Sequence, residues 1–304
     1  TMVDDVTSED TAAKYRAWNW NVIEIDGNDS DEICKALDQA LKEDERPTLI
    51  IGNTVMGKGC VDADGNSFEF KCSTHGNPLS KSGASYEMTV KNLGGNPEDP
   101  WAVFEETKAL YAARKEELKA IVAERRAKFD AWAKKNPEDA AELQSWIDGK
   151  LPEIDYKAIA HKPNIATRAS SADVLTVLGE KIKNMIVSSA DLSNSDKTEA
   201  FLKKAGSVIA PDNYGGKFLQ SGVAELTMAT VMNGIALHGG LFCACGTFFV
   251  FSDYMKPAIR MTALMQLPVK YVWTHDSFRV GEDGPTHQPV EQEAQIRLME
   301  ELKN

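Results

Sequence analysis

The chain has 304 residues, 42% hydrophobic and 26% charged, which is enough apolar material for a substantial core in two domains or one large one. Its formal net charge of −12 and pI near 5.0 argue against sequence-independent nucleic-acid binding, which relies on a basic surface. No apolar run of about 18 residues offers a membrane span, and no signal-peptide pattern opens the chain, so the expected partners include neither nucleic acid nor membrane and the expected location is cytoplasmic.

The first region reads strand, helix, strand. Val22–Ile25 is a short strand, Asp31–Asp44 an amphipathic helix, and Pro47–Thr54 an apolar strand that ends in a glycine-rich turn, Met56–Gly59. A loop-rich stretch follows through Tyr86. From Pro100 to Lys150 charges mix with apolar residues at helical spacing, and Leu151–Asn164 loses that periodicity and carries two prolines, as an interdomain linker does.

A second α/β region begins near Ile165. It predicts a helix over Ser171–Lys183 with Ser170 as N-cap, a strand over Met185–Asp191, and an apolar helix over Ser221–Gly240. A strand over Leu241–Gly246 and a helix over Ser252–Gln266, interrupted by Pro257, come next. A strand over Pro268–Thr274 and a last helix over Val290–Leu302 complete the order. Strands alternating with helices predict an α/β fold with doubly wound parallel sheets. The five cysteines, Cys34, Cys60, Cys72, Cys243 and Cys245, are odd in number and irregular in spacing, which fits reduced thiols better than a disulfide framework or a zinc site.

Four features carry chemistry. Thr274–Pro289 follows a strand and packs two of the chain's five histidines, three acids and an arginine between glycines and prolines. Ligands in open parallel sheets bind beyond the carboxyl ends of strands, so this is a ligand loop or a polar surface loop. Glu225 is the only charged residue from Gly222 to Ala236; a carboxylate in a buried helix is costly unless paired, and it reads as either a structural or a functional acid. Phe248, Phe251 and Tyr254 recur at spacing three after a strand, as plain core or as a wall for a flat heterocycle. His75 lies in a glycine- and proline-containing loop, Ser73–Ser80, where a lone histidine is usually solvated. Asp62–Asn66 opens like a calcium loop but lacks the continuing ligands.

Taken in order, these segments resemble the transketolase family. Gly281–Pro289 (GEDGPTHQP) is similar to the signature of its pyrimidine-binding domain. Ile165–Arg168, Ser189–Ser195, Gly222–Met228 and Gly246–Tyr254 resemble further motifs in the same order, and His75–Leu79 resembles the family's His-Gly-x-Pro-Leu. The resemblance implies thiamin diphosphate and magnesium as cofactors, sugar phosphates as substrates, and a homodimer with its sites at the subunit interface. The implied reaction is reversible transfer of a two-carbon ketol unit from a ketose phosphate to an aldose phosphate. Glu225 occupies the position of the glutamate that hydrogen-bonds the aminopyrimidine and favours its imino tautomer. Phe248, Phe251 and Tyr254 match the aromatic pocket around that ring, and Asp191 matches an acid near the cofactor. His75 and His287 match histidines at the reacting hydroxyl and carbonyl of the donor sugar. Asp283 matches the acid that reads a sugar hydroxyl, and Arg168, Ser195 and His275 match phosphate contacts.

The chain also departs from that pattern. Ala224 and Leu226 flank Glu225 where the family usually has arginine before it and histidine or phenylalanine after it. The Gly-Asp-Gly and following asparagine through which the family binds magnesium do not occur, so the chain is expected to be an internal portion whose metal ligands lie elsewhere. On the resemblance, residues 1–125 are the C-terminal part of a diphosphate-binding domain, 126–163 a linker and 164–304 the pyrimidine-binding domain. A non-catalytic assembly subunit and another thiamin enzyme, such as a deoxyxylulose-phosphate synthase or a dehydrogenase β chain, are the competing readings.

Overall fold

The computed structural model describes residues 3–300, and the chain divides into two compact units, 1–122 and 123–304. In the first unit α1 (Thr11–Ala17) leads to β1 (Asn21–Asp26), α2 (Ser30–Ala40) and β2 (Thr48–Asn53). The two strands pair in parallel, from Asn21 against Thr48 to Asp26 against Asn53, as a connection through a helix requires. The Asp29 carboxylate accepts from the amides of Asp31 and Glu32 and starts α2, which is shorter at its C-terminus than the sequence pattern implied. The stretch expected to be loop contains a short helix, α3 (Leu79–Ser82), and is followed by α4 (Tyr86–Asn92), capped by the Ser85 hydroxyl. The charged stretch forms α5 (Glu105–Lys135), none of whose residues is buried and whose residues from 123 on count with the second unit, as does α6 (Pro137–Ile147).

The second unit contains α7 (Thr167–Lys181), β3 (Met185–Ser189), α8 (Ser193–Asp196), α9 (Glu199–Ala205) and β4 (Phe218–Gln220). Next come α10 (Glu225–His238), β5 (Phe242–Phe248), α11 (Ser252–Leu264), β6 (Lys270–Thr274) and α12 (Gln292–Glu300). Four strands form a parallel sheet in the order β4-β3-β5-β6. Successive side chains of β5 alternate between two cores: Cys243 and Cys245 pack with Met228, Met232 and Met255, while Ala244 packs with Val187, Phe201 and Phe218. Helices therefore cover both faces of the sheet, which is why its central strands read as continuous apolar runs.

Three helices differ from their sequence-based limits. α7 begins at Thr167, so Ser170 lies inside it rather than capping it. α11 continues through Pro257, its sixth residue, which has no N–H to donate to the Asp253 carbonyl one turn before it. α10 starts at Glu225 because Gly222 adopts a left-handed φ of +67° and Ala224 leaves the helical region, which puts the Glu225 carboxylate in the first turn. The far end of the last expected helix, Glu301 and Leu302, lies outside the described residues.

Candidate active site

The carboxyl ends of β3, β5 and β6 point the same way and deliver the loops that carry most of the singled-out residues. One cavity there, of about 520 Å³, is lined by Glu225, Phe248, Phe251, Tyr254 and His287. Ala190, Leu192 and Val223 complete its apolar wall, and the sequence pattern had not marked these three.

Glu225 is only 8% exposed, and its carboxylate has no hydrogen-bond or ion-pair partner among the described residues. Its place in the first turn of α10 is one where the helix dipole favours negative charge by about 0.3–1 kcal/mol. That offsets only part of the cost of burying a carboxylate, and it leaves the Glu225 oxygens free to accept hydrogen bonds. The aromatic side chains are ordered beside it. Phe248 and Phe251 stack with centroids 5.8 Å apart and planes 8° from parallel, and Phe251 and Tyr254 stack at 6.1 Å and 25°. His287 meets the Phe251 ring edge-on at 5.3 Å and 74°. Its Nδ1 lies 2.9 Å from the Thr286 hydroxyl, which leaves Nε2 as the nitrogen available to a ligand.

A second cavity, of about 1060 Å³, adjoins β6 and gathers Arg168, His275 and Asp283. Ser171, which the sequence had not singled out, also faces it, as do Thr274 and Asp276 of the histidine-bearing loop. His275 follows β6 in a left-handed conformation (φ +54°), with Nδ1 3.0 Å from the Thr274 hydroxyl. Burial lowers its pKa, the Arg168 guanidinium adds to that, Asp283 and Asp276 oppose it, and His287 lowers it slightly. A guanidinium, an imidazole and a carboxylate facing one polar cavity suit a phosphorylated, hydroxylated ligand.

Not every expected residue joins these cavities. Asp191 is exposed in a left-handed turn (φ +62°) directly after Ala190, and its side chain lines neither cavity. Ser195 is half-buried in α8 and lines neither. His75 belongs to the first unit, where it is exposed after a single 3-10 turn. The acid that is fully buried after β3 is Asp196, not Asp191: it accepts hydrogen bonds from the Ser189 hydroxyl at 2.7 Å and from the Thr198 amide and hydroxyl at 2.8 and 2.7 Å. The Asp196-x-Thr198 spacing was the available signal for that network, since a carboxylate commonly caps a backbone amide two residues on. Among the described residues, no group of three or more His, Cys, Asp or Glu side chains is placed to hold a metal ion.

Comparison with known proteins decides the family. Residues 163–304 match the family model described as the transketolase pyrimidine binding domain, and residues 1–152 match that of the transketolase thiamine diphosphate binding domain. The chain belongs to the transketolase family. It is 41% identical over 302 residues to the transketolase of Halalkalibacterium halodurans, an overlap that takes in 96% of this chain and 43% of that protein. It is likewise 41% identical over 305 residues to the Bacillus subtilis transketolase, covering 99% of this chain and 44% of the relative.

Among solved transketolases, that of Leishmania mexicana superposes with a TM-score of 0.86 at 28% identity, over 97% of this chain and 43% of that one. The Pichia stipitis enzyme in complex with sedoheptulose 7-phosphate gives 0.80 at 33% identity, over 97% and 44%. The chain thus spans less than half the length of the transketolases it matches. No helix among its described residues is long and apolar enough to cross a membrane.

Proposed function

We propose that this chain supplies the aminopyrimidine site and most of the sugar-phosphate contacts of a transketolase, which moves a two-carbon ketol unit reversibly from a ketose phosphate to an aldose phosphate. The observation that carries this reading is the Glu225 carboxylate, nine-tenths buried, without a partner among the described residues, and set against three stacked aromatic side chains. That arrangement fits a flat heterocycle with a ring nitrogen to share a proton.

When bound, thiamin diphosphate supplies a carbon nucleophile and electron sink. The chain's own residues do the rest. Glu225 holds a proton at the ring nitrogen it faces, while Phe248, Phe251 and Tyr254 orient the ring and exclude water. His287 moves a proton through Nε2 at the donor sugar, and His75 is assigned to the same sugar. Asp283 reads a sugar hydroxyl, and Arg168, Ser195 and His275 receive the phosphate. Asp191 is assigned to the cofactor's surroundings.

The magnesium that accompanies the diphosphate is to be held by residues outside this chain. The working unit proposed is a homodimer with the site at its interface, located in the cytoplasm and acting in the pentose phosphate pathway, completed by segments that the longer relatives carry. The relative solved with sedoheptulose 7-phosphate supports a sugar-phosphate substrate. Domain limits at 125 and 163 are proposed on the same basis.

Ketol transfer by the assembled enzyme, measured with phosphorylated and unphosphorylated donors, tests this assignment. Arg168→Ala is expected to raise KM for phosphorylated sugars with little change for unphosphorylated ones. An unchanged KM for phosphorylated sugars would remove Arg168 from the phosphate site. No transfer under any assembly would favour a non-catalytic subunit.

A further inference from the structure

Gln292 is the first residue of α12 and is only 2% exposed, among the largest fully buried side chains described. Burial of so long a polar side chain is costly in rotamer freedom and in lost hydration unless both ends of its amide are satisfied. Here both are engaged. The carbonyl Oε1 accepts from the Val290 amide at 2.9 Å, and Nε2 donates to Asp253 Oδ2 at 3.1 Å. The other Asp253 oxygen forms an ion pair with Lys256 Nζ at 2.7 Å.

The two partners lie on the two segments that wall the Glu225 cavity. Val290 ends the loop that carries His287, whose own amide donates to Gly284 O at 3.1 Å. Asp253 sits beside Tyr254 and two residues after Phe251, the ring that His287 meets edge-on. One amide therefore ties together segments 39 residues apart, and the far side of that tie is the His287–Phe251 contact.

We propose that Gln292 is a positioning residue for His287, fixing the imidazole against the aromatic wall by bridging its loop to the first turn of α11. An apolar residue of similar volume would fill the same space but would leave the loop free to slide along the helix, because only the hydrogen bonds are directional. This inference rests on the ketol-transfer reading for its functional meaning, while its physical content stands on the fold alone.

The test follows the His287 ring signals by NMR in the 304-residue chain with labelled histidine. Gln292→Met keeps length and volume and removes both hydrogen bonds. It is expected to shift the His287 ring signals in the same direction as Phe251→Leu does. Asp253→Asn, which still offers an acceptor oxygen, is expected to leave them in place. Ile296→Ala, a truncation in α12 that loosens packing without touching the bridge, serves as the structural control.

The proposal is overturned if Gln292→Met leaves the His287 signals unmoved, or if Ile296→Ala moves them as far. Should Gln292→Met not fold, Asp253→Leu breaks the same bridge from the other side and carries the same expectations. In the assembled enzyme, Gln292→Met is expected to lower kcat about tenfold to 100-fold, with less than about a twofold change in thiamin diphosphate affinity. Absence of ketol transfer in the unmutated enzyme would overturn the functional reading and leave the NMR result to decide the bridge.

Discussion

The imidazole of His275 stacks on the ring of Phe248, with centroids 3.7 Å apart and planes 27° from parallel. Phe248 ends β5, His275 follows β6, and the strand register pairs Phe248 with Thr274. Phe248 lines the aromatic cavity of Glu225 and His275 the polar cavity of Arg168 and Asp283, so the stacked pair joins the walls of the two. A change in the charge of His275 is felt on both sides of it.

The His275 imidazole is held below its ordinary value of 6.5, mainly by burial and further by Arg168. Because the folded value lies below the unfolded one, the stability tied to neutral His275 is present above pH 6.5 and is lost as pH falls through the folded value. Arg168→Ala removes one lowering influence, so an NMR titration should show the His275 pKa rising. Asp283→Asn should move it the other way. A fall on Arg168→Ala would contradict the arrangement of charges around this ring.

Asp196 titrates with the opposite sign. Burial raises its pKa above the ordinary 3.8, while hydrogen bonds from Ser189 and Thr198 oppose the rise. Stability linked to this group is greatest when it is protonated and declines as pH rises from 3.8 through the folded value. In Asp196→Asn the melting temperature should lose that decline. An unaltered pH profile would assign the titration to another group.

The same network explains the glycine at position 246. A Cβ on Gly246 would lie 2.6 Å from Thr198 Cγ2 and 2.8 Å from Asp196 Oδ2, both parts of a packed and hydrogen-bonded cluster. Gly246→Ala is therefore expected to cost about 1–3 kcal/mol, as overpacking does. That corresponds to about 2–4 °C per kcal/mol in the melting temperature of a unit of this size. A melting temperature within one degree or so of the parent would mean that α8 yields more readily than its contacts imply.

Much of the fold was legible because it rests on local pattern. The apolar runs at Met185 and Leu241 became buried parallel strands, that at Pro268 a half-buried one, and the alternation of Cys243, Ala244 and Cys245 between two cores follows from strand geometry. The strand Phe218–Gln220 was not legible: its three residues pair along β3, with Phe218 also bridged to Val208, and have no pattern of their own. Glu225 was legible as an isolated acid, but not as the first residue of its helix, which depends on the backbone of Gly222 and Ala224.

Within the candidate site, Glu225, Phe248, Phe251 and Tyr254, expected around the cofactor, line one cavity together with His287, expected at the donor sugar. The partition of Arg168, His275 and Asp283 into a neighbouring cavity depends on long-range strand order and could not be read from spacing. Asp191 and Asp196 both follow β3, and only the turn geometry decides that one is exposed and the other buried, which spacing alone does not give.

The central claim is that the unpartnered carboxylate of Glu225 faces the cofactor's ring, and one comparison tests it most directly. Ketol transfer and thiamin diphosphate affinity are measured on the assembled enzyme with Glu225 and with Glu225→Gln, alongside circular dichroism and melting temperature. The predicted result is a loss of at least about 100-fold in turnover, within the range for removal of a positioned acid–base group, with the fold intact and the melting temperature unchanged or raised. Near-normal turnover by a folded Glu225→Gln enzyme would contradict the account.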